Sequence, residues 1–264
     1  MRSLILLIAL LPSGILGTHA QELVRTHSWM VGGGPTEILD TYLSPEHFKG
    51  GGFCILSTSE RRREGRHWST MMEHQTQLAL ADDRREQYSE MAAHYQLLWG
   101  RWRQWQLPHL HLTLQAGGMA AAHLGFIYNT HQGNNPAQAQ VALHLMPAAA
   151  ATWEFRLLKR QARLRYECQL PLAGVMFSPH FGQSYYEIFS RGNYDHNVVP
   201  TTFLSAPNFR QLLSCDLQLS RRFTLRLGYL GDFQQSHVND IKQHVYAHQL
   251  MVGFVKSFTI HPHD

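Results

Sequence analysis

Phe223-Thr224-Leu225-Arg226-Leu227-Gly228-Tyr229-Leu230-Gly231-Asp232-Phe233-Gln234-Gln235 is the stretch that decides the fold. Phe223, Leu225, Leu227, Tyr229 and Phe233 share one parity, and Thr224, Arg226, Gly228, Asp232 and Gln234 share the other. Side chains of a β-strand point to opposite faces with period two, so this segment has one oily face and one polar, charged face. Arg163 to Val175 repeats the pattern: Leu164, Tyr166, Cys168, Leu170 and Leu172 against Arg163, Arg165, Glu167 and Gln169. Phe209 to Ser220 does so again, with Leu213, Cys215, Leu217 and Leu219 opposing Arg210, Ser214, Asp216 and Gln218. In 139–157, Val141, Leu143, Leu145, Trp153, Phe155 and Leu157 oppose Gln140, His144, Thr152, Glu154 and Arg156. Near His109, Leu110, Leu112 and Leu114 oppose His111, Thr113 and Gln115.

Weaker alternation over 25–33, 50–62, 66–81, 87–104 and 243–260 brings the total to about ten strands, an even number as bacterial membrane barrels have. Tight turns are expected at Arg63-Glu64-Gly65, Leu107-Pro108, Leu158-Lys159 and Ser220-Arg221-Arg222, and longer connections at 34–49, 82–86, 123–138, 176–208 and 237–242. Short turns alternating with long loops, with both termini on the short-turn side, is the periplasmic and outer asymmetry of outer-membrane barrels. The expectation is an all-β fold, a closed antiparallel transmembrane β-barrel in which 176–208 forms a large outer loop.

A soluble lipocalin-like barrel or sandwich would use the same alternation with the oily face turned inward. Two features oppose it. The polar faces carry too many full charges to be dispersed surface groups of a small sheet, and the strands approach or exceed the roughly 9–11 residues that a tilted membrane strand needs. Trp29, Trp99, Trp102, Trp153, Phe223, Phe254 and Phe258 fall near strand ends, where interfacial aromatic girdles lie. Charged residues make up only 16% of the chain, against about 25% in soluble domains.

The first residues read as an export leader. Met1-Arg2-Ser3 precedes the apolar run Leu4–Leu11, a Pro12-Ser13-Gly14 breaker, and Thr18-His19-Ala20 before the expected cut, so residues 1–20 form a signal peptide and 21–264 the barrel. The apolar run is too short for a spanning helix. The net charge of +4 is spread, with Arg61-Arg62-Arg63 its densest run, which speaks against a nucleic-acid partner. Cys54, Cys168 and Cys215 form neither a metal knuckle nor a disulfide framework and read as small hydrophobes.

Several loop motifs carry a family resemblance: Val31-Gly32-Gly33-Gly34 with Leu39-Asp40-Thr41-Tyr42-Leu43-Ser44-Pro45; Gly125-Phe126-Ile127-Tyr128-Asn129-Thr130 with Asn134-Asn135-Pro136-Ala137-Gln138-Ala139; Val175-Met176-Phe177-Ser178-Pro179, Tyr185-Tyr186-Glu187-Ile188-Phe189 and Gly192-Asn193-Tyr194-Asp195-His196-Asn197; and Val252-Gly253-Phe254-Val255-Lys256. With these the mature chain resembles a Bacteroidota outer-membrane β-barrel family of unknown function. That resemblance implies fold and a Gram-negative outer-membrane location, and no activity.

Three kinds of site are legible. Glu154, Arg156, Arg163, Arg165, Glu167, Asp216, Arg226 and Asp232 lie on the enclosed face and are expected to pair as a polar network filling the lumen, or else to line a narrow solute channel. Glu187, Asp195 and His196 are the residue types of a rim hydrolase, with Asp40 and Asp232 as possible partners from elsewhere, although no GxSxG or HExxH motif accompanies them. Tyr128, Asn129, Tyr185, Tyr186 and Tyr194 suit recognition of a surface glycan or protein, since tyrosine joins apolar area to a hydrogen-bonding tip. His109 with His111, His244 with His248, and His261 with His263 are the closest histidine spacings, but none fixes a third ligand, so no metal and no cofactor is expected. Outer-membrane lipid is the expected surroundings.

Overall fold

The computed structural model describes residues 22–260 except 134, 158, 221 and 222. The expected leader, the tail histidines and parts of two expected turns therefore lie outside the described residues. The strands are β1 (Leu23–Asp40), β2 (Ser44–Arg63), β3 (Trp68–Asp82), β4 (Ser89–Leu107), β5 (Leu112–Asn129), β6 (Ala137–Leu157), β7 (Arg160–Gln169), β8 (Ala173–Phe177), β9 (Val198–Thr202), β10 (Phe209–Gln218), β11 (Thr224–Val238) and β12 (Ile241–Ile260), with one helix, α1 (Tyr185–Phe189). They close into a ten-stave antiparallel barrel, in the ring order β1-β2-β3-β4-β5-β6-β7-β10-β11-β12 and back to β1.

The closing seam pairs β1 with β12 from Leu23↔Ile260 to Asp40↔Gln243, which leaves no sheet edge on either terminal strand. The two short strands complete a stave pair rather than adding to the ring. Past a break at Leu170-Pro171-Leu172, β8 carries the line of β7 onward along β6, and β9 pairs with β8 before the chain re-enters the wall as β10. Pro171 offers no backbone donor, so the ladder is interrupted where it stands.

The start of β1 and the end of β12 lie at one end, with the β2–β3 and β4–β5 turns at 64–67 and 108–111 and the β10–β11 connection. At the other end most connections are tighter than the sequence suggests. The expected loop 34–49 is strand except for a three-residue turn at 41–43, the loop 123–138 shrinks to 130–136, and 237–242 shrinks to Asn239-Asp240. Asn239 (φ 52°) and Asp240 (φ 61°) are both left-handed, the two-residue hairpin geometry whose twist matches the strands. Glycines and short polar residues read as loop, yet here they sit in strands that rise past the roughly 9–11 residues a bilayer needs. The only long excursion among the described residues is 178–197, since β8 and β9 absorb the flanks of the expected loop 176–208.

The faces divide as the alternation requires. Leu143, Leu145, Leu172, Leu227 and Leu250 point outward and are exposed, while Glu167, Asp216, Asp232 and Arg210 on neighbouring strands are buried inside. Trp68, Trp99, Trp105, Trp153 and Phe258 stand outward toward the terminal end, with Arg101 over Trp68, Arg103 over Trp105 and Lys256 over Phe258. Such a cation above an interfacial ring is the arrangement of a membrane–water boundary. Trp102 departs from the expected girdle: its parity is inward, it is fully buried, and it packs with Met71, Leu98, Met119 and Met146. The interior is thus not purely polar; a second apolar cluster joins Met30, Cys54, Leu56, Leu212, Leu230 and Met251. Cys168 and Cys215 are half-buried free thiols on the outward parity.

Candidate functional site

The lumen is built from inward side chains of opposite walls. Counting round the ten staves, β3 and β10 are five apart, as are β4 and β11, so each pair is diametrically opposed. Arg210 of β10 crosses the bore to Glu73 of β3 (Nη2 to Oε2, 2.8 Å), and its Nε donates to Gln75 Oε1 at 2.9 Å. Gln75 Nε2 and Gln96 Nε2, from β3 and β4, donate to Asp232 of β11 at 2.5 and 3.1 Å, and Gln234 Nε2 adds a third donor at 3.1 Å. Gln169 Nε2 bridges Glu167 Oε1 (2.8 Å) and Glu73 Oε1 (3.2 Å). Arg165 closes the group by donating to Glu167 Oε2 at 2.7 Å and to Gln115 Oε1, and Gln115 donates in turn to Glu60. These contacts span the bore from one wall to the other at this level. Glu73 and Glu167 are almost wholly buried, and such charges persist only when paired.

Nearer the terminal end the bore widens. A cavity of about 230 Å³ is lined by Glu60, Gln115, Arg163, Glu167 and Asp216, and another of about 980 Å³ by Glu154, Arg156, Arg163, Gln218 and Lys256. Asp216 between them receives a bidentate clasp from Arg226 (2.6 and 2.8 Å), with Arg163 3.5 Å away and Ser28 accepting from Arg226 at 3.0 Å. All eight lumen residues read from the sequence have inward parity: Arg165, Glu167, Asp216, Arg226 and Asp232 sit in hydrogen-bonded groups, Arg163 is half-paired, and Glu154 and Arg156 line the open end. Glu73, Gln75, Gln96 and Arg210, which cross the bore, were not among them. Around Glu73 and Gln75, His74 and Thr76 make the outward face polar too, which erases the contrast that alternation relies on.

Two features lie across the opposite mouth. Ile38, Leu43, Phe48, Ala79, Ala81, Ala92, Ile127 and Val245 form an apolar stopper inside the rim. Over it runs 178–197, tied to three hairpins spread around the ring. Tyr42 Oη of the β1–β2 turn donates to Gln183 O (2.8 Å); Tyr185 Oη accepts from Ala139 N (2.7 Å) and donates to Gln138 Oε1 (3.0 Å) on β6; Asn239 Nδ2 of the β11–β12 turn donates to Ser178 O and His196 O, both at 3.0 Å. Burial pushes the Tyr42 phenol up to about 12 and raises that of Tyr185 too, so both stay protonated donors. Asn197, itself buried, ties the lid internally through Gln183 Oε1 (2.7 Å) and Ser178 O (3.1 Å).

The expected hydrolytic group is not assembled. Glu187 is the third residue of a capping box, accepting from Ser184 N (2.8 Å) while Ser184 Oγ accepts from Glu187 N (3.2 Å). Asp195 and His196 pair with each other at 2.6 Å on the outside of the lid, both more than three-quarters exposed. Asp40 is engaged by Tyr42 N and Gln243 inside the rim, and Asp232 by amides deep in the bore. Asp195 and His196 thus meet as an exposed carboxylate–imidazole pair, while Glu187, Asp40 and Asp232 are engaged elsewhere and do not join them. Among the expected recognition residues, Tyr186 and Tyr194 are exposed on the lid, whereas Tyr185 is spent on fastening it. Asn129 is buried against Glu90 (2.9 Å) and Tyr128 is an outward residue at the end of β5, which corrects the reading of both as loop groups. His109 and His111 fall on a 3-10 turn, and His248 bonds Tyr229 Oη rather than His244, so neither spacing forms a ligand pair.

The chain is similar in fold to Neisserial surface protein A (8% identity, 90% of this chain and 97% of that one, TM-score 0.37). It is similar also to the transport unit of the autotransporter AIDA-I from Escherichia coli (5% identity, 93% of each chain, TM-score 0.43) and to Ail, the attachment invasion locus protein of Yersinia pestis (8% identity, 88% and 98%, TM-score 0.34). No curated protein sequence matches it. The model of the family described as "Protein of unknown function (DUF3316)" matches residues 4–263, and the chain belongs to that family.

Proposed function

We propose that this protein is a closed outer-membrane barrel, exported by its N-terminal leader, that serves the cell surface as a recognition or structural platform rather than as a pore. One observation carries the reading: side chains of opposite staves bond across the bore, with Arg210 reaching Glu73 and Gln96 reaching Asp232. The tied lid and the apolar stopper below it support the same reading from the outer side. The outward leucines and girdle rings suit lipid surroundings, and a ten-stave barrel is narrow enough for its own side chains to fill. Phe181, Tyr186, Phe189 and Tyr194 are each more than 60% exposed on 178–197, an aromatic surface that suits a glycan or a protein partner. A Bacteroidota origin rests on the loop motifs alone.

Planar-bilayer recording of the refolded protein tests the platform reading. Electrical silence is the expected result. Stepwise currents from the intact chain would replace it with a small-solute channel running along Arg163, Arg165 and Arg226.

A further inference from the structure

Glu37, His47 and His244 come together on the outer flank of the barrel, and we propose that they bind a divalent zinc-class cation. The register explains the meeting. Glu37 of β1 stands opposite Lys49 of β2 and Tyr246 of β12, and the two histidines are the next outward-facing residues toward the rim on those strands. Such diagonal neighbours are within reach of long side chains. His47 Nδ1 lies 2.8 Å from Glu37 Oε1, and His244 Nε2 lies 3.5 Å from the same oxygen. One ligand atom from each of the three lies within 4.8 Å of the others. Around zinc, at bonds of about 2.0–2.1 Å, ligand atoms stand ~3.3 Å apart, so a rotation of the half-exposed His47 that opens its contact with Glu37 by about 0.5 Å while drawing the widest separation in completes the set.

Two further observations point to a ligand rather than to a mere hydrogen-bonded pair. His244 is 5% exposed, and its Nε2 is aimed at Glu37 Oε1 from 3.5 Å without a well-aligned hydrogen bond. A buried ring nitrogen so weakly paired recovers little of its lost solvation. Its ring is also fixed: Tyr246 stacks on it at 4.3 Å and 7°, and Tyr246 Oη is held by Gln235 Oε1. Lys49 Nζ sits 3.5 Å from Glu37 Oε2, which leaves Oε1 to the two histidines. Two imidazoles and one carboxylate, with solvent on the open side, make a three-ligand site that keeps a fourth position for water or an outer ligand. Below the cluster the outward positions pass through Pro35 and Gly33 to Val31, so it stands above the oily band.

The test uses the full mature chain, refolded in detergent, with His261→Ala and His263→Ala replaced to silence the tail pair. Co²⁺ is titrated as a spectroscopic probe and then displaced with Zn²⁺. One Co²⁺ per chain, with visible d–d bands lost on adding Zn²⁺, is expected. His47→Ala and Glu37→Gln should each weaken binding at least tenfold, while His109→Ala, at the other end of the barrel, should leave it unchanged. His244→Ala should do the same as His47→Ala, provided that heat-modified electrophoretic mobility shows the barrel intact; His47, being half-exposed, decides the matter if it is not. Absence of saturable binding, or parent affinity in His47→Ala, overturns the proposal.

Discussion

Removing Arg210 isolates the strongest interaction across the bore. In Arg210→Met, a side chain of comparable length replaces the guanidinium, so the loss is mainly electrostatic. Glu73, 1% exposed, then keeps only the Gln169 amide at 3.2 Å and faces Glu167 without a cation between them. Glu167 retains Arg165 at 2.7 Å, and Asp232 retains three amide donors, so the penalty falls chiefly on one buried carboxylate. Breaking a buried pair by removing one partner costs about 3–5 kcal/mol. With a urea slope of about 3 kcal/mol per molar, the midpoint should fall by about 1–1.7 M. Glu73→Gln combined with Arg210→Met removes both charges and leaves an amide to bond Gln169, so the double variant should return to within about 1 kcal/mol of the parent. The assay is reversible urea unfolding in lipid vesicles, followed by tryptophan fluorescence across the four-member cycle. A cost below about 1 kcal/mol for Arg210→Met, or a double variant as unstable as the sum of the singles, would refute the claim that this pair is buried and mutually dependent.

Two further perturbations probe the lipid face and the lid. Leu145→Arg places a charge on an outward residue 62% exposed on β6, and should destabilise the barrel in vesicles by about 2–4 kcal/mol if that face meets hydrocarbon; indifference in the same urea assay would mean that water covers it. At the lid, bonds from the Ser184 backbone and hydroxyl hold the Glu187 carboxyl below its ordinary range. A depressed folded-state value stabilises above the unfolded one, about 4.3, and the benefit is lost as pH falls through the folded value. Hydrogen exchange over 184–190 should therefore stay slow at neutral pH and accelerate only below about pH 4, and Ser184→Ala should abolish that acid step.

The strands of greatest contrast were readable residue by residue. In 163–169 every second side chain is charged or amide, and in 209–218 and 224–234 all the charged residues share one parity while most aliphatic and aromatic ones share the other, so parity assigns Arg165, Glu167, Asp216 and Asp232 to the enclosed side. Legibility failed where both faces are polar, as around Glu73 and Gln75, and where turn-forming residues lie in strands, as in Gly32-Gly33-Gly34 and Gly50-Gly51-Gly52. Gly32 and Gly50 leave room for neighbouring backbone: a Cβ on Gly32 would fall 2.0 Å from Leu250 O, and one on Gly50 2.1 Å from Leu80 O. Trp102 was misassigned because position near a strand end, rather than parity, placed it in the girdle.

By itself the sequence determined the all-β class, the alternation that separates an oily face from an ionic one, and the inward parity of eight charged residues, because these depend only on neighbours along one strand. Which wall each charge meets was decided by closure of the ring. Arg210 is 137 residues from Glu73 in the chain, and Glu37, His47 and His244 occupy three different strands. Their contacts exist because register and stave order bring distant segments to one height, and neither register nor stave order is written in any local pattern.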